Sequence, residues 1–123
     1  MDIKVRVRYS ECDPMNVAHH AVYPIWLEMA RTEMLRRRGQ SYADLEKRGV
    51  FFVVARLNMR FRAPARYDDQ LRIHVETTLA SSIKVDHRYG IYRDNDLLAE
   101  AWSTLVCVDR DGLPQRLPGG AGR

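Results

Sequence analysis

Only one stretch of this chain has the period of a long helix, and that constrains the fold more than any other feature. Val22, Ile25, Trp26, Met29, Ala30 and Met34 recur at helical spacing as far as the stop signal Gly39, and Pro24 sits where a first turn tolerates it. The usual rise per residue makes this a helix of about four to five turns. A short second helix is expected over SYADLEKRG, with Ser41 as N-cap and Gly49 as terminator. Nearly everything else alternates. IKVRVRYS sets Ile3, Val5, Val7 and Tyr9 against charged residues, and FFVVARLNMRFRAP sets Leu57, Met59 and Phe61 against Arg56, Asn58, Arg60 and Arg62. LRIHVETTL, residues 83–93 and residues 97–109 continue the period of two, the last pair joined by the turn Arg93-Asp94-Asn95-Asp96.

A single apolar helix must be covered by a sheet face, and strands joined by short turns pair antiparallel. The order of elements therefore predicts an α+β domain in which a five-stranded antiparallel sheet curls around one long central helix. Such a two-layer domain leaves an edge or a sheet face open, which predicts a homodimer or homotetramer.

At 123 residues there is room for one domain, expected to span residues 1–117, followed by a flexible glycine-rich tail over 118–123. No apolar run approaches the ~20 residues of a membrane span, and MDIKVRVRY alternates charge with valine, so a signal peptide is not expected there. A cytoplasmic protein with Cys12 and Cys107 as free thiols is expected. The net charge of +4 and pI near 9.3 suggest an anionic partner. Nucleic acid is disfavoured: the one tight basic run, Arg36-Arg37-Arg38, suits a helix C-terminus and has no aromatic residues interleaved for stacking.

The chemistry concentrates in CDPMNVAHHAVYP, residues 12–24. Asp13 lies just upstream of a helix start, where unpaired backbone N–H groups favour negative charge and can also stabilise an oxyanion. The same aspartate with Pro14 behind it can equally be a turn cap. Spacing does not choose between these. Cys12 is a possible thiol nucleophile, but on an extended segment it points away from Asp13 and reads better as a half-buried thiol. His19 and His20 with Glu11 and Asp13 do not make a metal site, because adjacent residues at a helix start diverge. His20 can orient a substrate or accept a proton, and Tyr9, at the end of the first strand, can donate into the same space.

The block YSECDPMNVAHHAVYPIWLEMARTEML, followed by FFVVARLNMRFRAPARYDDQL, resembles the hotdog-fold acyl-CoA thioesterases of the 4-hydroxybenzoyl-CoA thioesterase type, in particular the branch associated with the Tol-Pal envelope system. The resemblance implies a hotdog fold, hydrolysis of an acyl-CoA substrate, no cofactor, and sites shared between subunits. It places the catalytic carboxylate at Asp13, the oxyanion amide at the His20 N–H, and accessory side chains at His20 and Tyr9. Asn16, His19 and Tyr23 are expected to bind substrate. Asn16 stands where the family usually has glycine, and asparagine is the next-best residue for a left-handed backbone. Lys84, Arg88, Arg60 and Arg62 are candidates for the coenzyme A phosphates. Two other readings remain: a hotdog enoyl-CoA hydratase, whose D-x-N-P-x-H pattern is poorly matched by Asp13, Asn16 and His19, and a non-catalytic acyl-CoA-binding module.

Overall fold

A computed structural model describes residues 1–117; the expected tail, 118–123, lies outside the described residues. The chain forms β1 (Asp2–Arg6), α1 (Tyr23–Arg37), α2 (Tyr42–Lys47), β2 (Phe51–Phe61), β3 (Gln70–Ala80), β4 (Lys84–Arg93) and β5 (Asp96–Val108). Two single 3-10 turns, Tyr9–Glu11 and His20–Val22, lie between β1 and α1. Both helices have the limits their residues dictate. Pro24 falls in the first turn of α1, and the backbone turns left-handed at Gly39 with φ of 82°. The Ser41 side chain accepts a hydrogen bond from the Asp44 N–H, and φ at Gly49 is 80°.

All strand pairs are antiparallel, in the order β1-β3-β4-β5-β2. This is the hotdog architecture, a single sheet wrapped around α1. β3, β4 and β5 are joined by short turns and pair in succession, but β2 does not pair with β3. Instead β2 takes the edge beside β5, and residues 62–69 carry the chain across to β3 on the far side of the sheet. Register shifts at Val54/Arg56, Thr77/Leu79 and Ile91/Tyr92 mark irregularities where an extra residue bends a strand.

The core is the contact between the apolar stripe of α1 and the concave sheet face. Trp26, Leu27, Ala30 and Met34 pack against Leu71, Ile73 and Val75 of β3 and against Tyr89 and Ile91 of β4. A smaller cluster, Leu35, Leu45, Val50 and Cys107, seats α2. β2 contributes little: Val53, Val54, Leu57 and Phe61 remain exposed on this edge strand. No helix among the described residues is long and apolar enough to cross a membrane.

The core also encloses polar groups. Arg31 on α1 donates to the Tyr89 hydroxyl at 3.2 Å, and that hydroxyl lies 2.6 Å from Ser103 Oγ. His87 is 5% exposed, and burial, reinforced by the neighbouring Arg31 and Arg38 cations, pushes its imidazole down to about 4. Because the unfolded chain takes up this proton near 6.5 and the folded one near 4, stability is intact above 6.5 and declines as pH falls between those values. Urea unfolding at pH 7 and pH 4.5 is expected to show a loss on the order of 2 kcal/mol from this group. A His87→Asn variant should lose correspondingly less over the same interval.

Candidate active site

The crowded loop is built on a buried carboxylate, Glu11, which the sequence offered only as a rejected metal ligand. Glu11, 6% exposed, accepts from the Arg8 N–H at 2.7 Å, from Arg8 Nη2 at 3.3 Å and from Trp26 Nε1 at 3.3 Å. Burial alone would raise its pKa, but the hydrogen bonds and charge of Arg8, helped by the indole, bring it below the ordinary carboxylate value. The only sequence cue was its distance of 15 residues from a core tryptophan, which carries no signal by itself.

From Glu11 onward the chain doubles back on itself. Cys12 bridges to Ala18, the Asp13 N–H donates to Val17 O at 2.9 Å, and the His19 N–H donates to Glu11 O at 2.8 Å. At the tip, Asp13 Oδ1 accepts from the Met15 N–H at 2.8 Å, and the Asn16 N–H donates to Asp13 O at 2.9 Å. Asn16 has φ of 64°, the left-handed conformation expected for a residue in place of glycine. Turn-capping and chemical availability are therefore compatible in Asp13. One oxygen holds the turn, Oδ2 accepts no hydrogen bond among the described residues, and the side chain is half-buried.

The loop is braced from outside by residues 63–69. Val17 bridges to Arg66, and the Ala18 N–H donates to Ala65 O at 2.7 Å. Asp69 Oδ2 accepts from the Arg66 N–H and from Arg93 Nη1, both at 2.8 Å. The Ala65 N–H in turn donates to the Tyr23 hydroxyl at 3.1 Å. Tyr23 is thus buried and ties the start of α1 to this brace, with its ring against Trp26 and Phe61.

His20 opens a 3-10 turn, and α1 proper begins at Tyr23. The amides here are unequally used. His19 Nδ1 accepts from the Ala21 N–H at 3.0 Å, the Val22 N–H donates to His19 O at 3.0 Å, and Pro24 has no N–H. The His20 N–H has no partner among the described residues. The His19 and His20 rings stack at 4.3 Å, both exposed. Ala18, His20, Tyr23, Phe61, Ala63 and Pro64 line an open cleft with about 540 Å³ of empty space. Asp13, half-buried, is not among the residues lining this cleft.

Tyr9 lies differently from the expectation. β1 ends at Arg6, so Tyr9 starts a 3-10 turn instead of ending a strand; it is 79% exposed and meets Tyr67 edge-on at 5.6 Å. Cys12 has its thiol pKa raised by burial and by Glu11, Asp13 and Asp69, which disfavours a thiolate. Among the described residues no group of three or more His, Cys, Asp or Glu is placed to hold a metal. Of the phosphate-binding candidates, Arg62 pairs with Glu100, and Arg88 reaches Glu76 and Glu100.

A profile of the Thioesterase superfamily matches residues 15–99, beginning two residues after Asp13. An acyl-CoA thioester hydrolase, YbgC of Escherichia coli, is 41% identical over 116 residues, covering 93% of this chain and 87% of the relative. Among solved structures, the protein TT1821 of Thermus thermophilus superposes with a TM-score of 0.92 at 38% identity, covering 99% of this chain and 94% of that one. A DHNA-CoA thioesterase from Staphylococcus aureus gives 0.91 at 29% identity, with 94% and 79% covered.

Glu11 fastens this loop to the helix, so Glu11→Ala is expected to destabilise the fold by about 2 kcal/mol, because Trp26 Nε1 and the Arg8 N–H lose a shared acceptor in the interior. A lowered urea midpoint at unchanged slope would record it.

Proposed function

The chain belongs to the Thioesterase superfamily, and from that footing we propose that it hydrolyses acyl-CoA thioesters to a free carboxylic acid and coenzyme A. The observation that carries this reading is the pairing of chemical opposites in one short segment. Among the described residues the half-buried Asp13 keeps an unengaged Oδ2, and seven residues later the His20 N–H stands unpartnered at a helical turn.

The His20 N–H polarises the thioester carbonyl and holds the oxyanion as the carbon becomes tetrahedral; a donor of this kind contributes about 3 kcal/mol. The Asp13 carboxylate then acts in one of two ways. As general base it takes a proton from water, the water oxygen bonds to the carbonyl carbon, the C–S bond breaks, and the departing thiolate receives the proton. As nucleophile it bonds to that carbon itself, expels the thiolate, and leaves an anhydride that water opens. Single turnover in ¹⁸O water separates these: label appears in Asp13 only by the second route. The His20 ring and Tyr9 act as accessory groups, and Asn16, His19 and Tyr23 shape the substrate's surroundings, the last through its position behind the His20 cleft. No cofactor enters either route.

Asp13 is not among the residues that line the His20 cleft, which favours a site completed by a second copy. β2 is the surface that supports this. It is an edge strand with one row of backbone groups unpaired in the sheet, and it exposes Val53, Val54, Leu57 and Phe61, an edge that soluble proteins usually cover. The site is therefore read as belonging to a homodimer, or a tetramer built from two, working in the cytoplasm, where Cys12 and Cys107 stay reduced.

Asp13→Asn is expected to lower kcat on an active acyl-CoA by about 100-fold or more with little change in KM, since the amide keeps the turn but cannot accept a proton or attack. Turnover within a few fold of wild type would remove Asp13 from the mechanism. Cys12→Ala should retain most activity. Light scattering should report a dimer or tetramer at micromolar concentration, and Val54→Glu on the β2 edge should shift it toward monomer and reduce turnover in parallel.

A further inference from the structure

Residues 62–69 carry the chain from β2 to β3 without a strand of their own, so contacts from other elements must give them their shape. Every backbone polar group from Pro64 O to Arg66 N is engaged. Pro64 O accepts from Arg93 Nη1 at 3.2 Å, and the Ala65 N–H donates to the Tyr23 hydroxyl at 3.1 Å. Ala65 O accepts from the Ala18 N–H at 2.7 Å, and the Arg66 N–H donates to Asp69 Oδ2 at 2.8 Å. Both halves of the candidate site hang on this stretch. Val17 bridges to Arg66, and its carbonyl accepts from the Asp13 N–H; Ala18 lies two residues before His20.

The stretch is in turn clamped by Arg93, the last residue of β4. A single nitrogen, Nη1, meets Pro64 O at one end and Asp69 Oδ2 at the other, the latter at 2.8 Å. Of the arginines that form ion pairs among the described residues, Arg93 has the least exposed side chain, at 31%, and Asp69 stands at 20%. Partial burial limits screening by salt, and a charged donor bonds more strongly than a neutral one. β4 is an interior strand, paired on both sides, which makes it a firm base for the clamp. Pro64 also lines the His20 cleft, so the same nitrogen steadies one of its walls.

We infer that Arg93 is a positioning residue for this site: by clamping Pro64 O and Asp69 it fixes residues 64–66, which place Asp13 through Val17 and the His20 N–H through Ala18. The catalytic consequence rests on the hydrolysis reading; the geometry rests on the hydrogen bonds alone. Arg93 has no part in the chemistry itself. Because misplacing a reacting group by about 1 Å costs on the order of 100-fold, a slackened clamp shows in kcat. An arginine that merely gripped an anionic substrate would show in KM instead.

Arg93→Ala is expected to lower kcat on an active acyl-CoA by about tenfold or more with KM within about twofold. Guanidinium chloride at non-denaturing concentration should restore most of the loss, and sodium chloride at equal ionic strength should not. In amide spectra the same variant should shift Asp13, Ala18, His20 and Ala65, and guanidinium should return them. Asp69→Asn should lower kcat in the same way, and the double variant should cost no more than Arg93→Ala alone, because the pair acts as one unit. If Arg93→Ala does not fold, Asp69→Asn decides by the same split between kcat and KM and the same amides. An unchanged kcat, a change confined to KM, or a kcat loss that guanidinium leaves in place would each overturn the assignment. A wild type that turns over no acyl-CoA would defeat the hydrolysis reading, and the spectra would then decide this one: shifts reaching residues 13–20 support the clamp, and shifts that stop at residues 64–69 sink it.

Discussion

The indole of Trp26 has no exposed surface, and its one polar atom reaches the carboxylate of Glu11. Much else follows from that contact. The ring anchors the apolar stripe of α1 to β3 and β4, and the hydrogen bond leads from the core directly into the loop that carries Asp13. Glu11 passes the constraint on twice, to the Arg8 N–H before it and, through its own carbonyl, to the His19 N–H after it. The segment between is therefore held at both ends, and the turn of Asp13 and Asn16 forms its tip. A helix packed by hydrophobic burial alone could slide or rotate by small amounts; a buried, charge-assisted bond fixes the position of its start.

The parts of the fold legible in the sequence were those set by local rules. Gly39 and Gly49 end helices because only they take the left-handed backbone cheaply, Ser41 caps α2, and Asn16 stands in for glycine at a turn. What sequence could not supply was partner choice over distance. β2 pairs with β5 across 38 to 57 residues, from Phe61↔Ala99 to Phe51↔Val108, a decision made by the crossing of residues 62–69 and not by anything in the strand itself. Period two carried the first strand as far as Tyr9, yet the chain turns after Arg6, because Glu11 folds back onto the Arg8 N–H and closes a 3-10 turn. Arg31 and His87 were invisible for a similar reason: one sits on a helix and one on a strand, and only the packing of α1 on β4 brings them to one cavity.

The local geometry of the candidate loop was only partly legible. The crowding of residues 12–20 singled out the loop, and the structure adds how its amides are used: the His19 ring accepts from the Ala21 N–H, the His19 carbonyl from the Val22 N–H, and Pro24 has none to give. The positive balance of the chain proved a weaker guide. Several of its cations are absorbed by a ladder on the outer sheet face, where Arg62, Arg72 and Arg88 meet Glu100, Asp2 and Glu76. Net charge recorded the excess without revealing where the free cations lie.

The strand order also dictates a timetable for assembly. β1 has no partner until β3 is available, about seventy residues later, and β2 must wait for β5, the last strand of all. A chain emerging from its N-terminus would hold its first two strands idle while α1 is already complete, able to form local hydrogen bonds but with no sheet to cover it. Closing such long loops is slow, so folding should be limited by the arrival and docking of β3 through β5 as a meander, onto which the earlier strands then add at either edge. The two outermost strands of the finished sheet are thus the two made first.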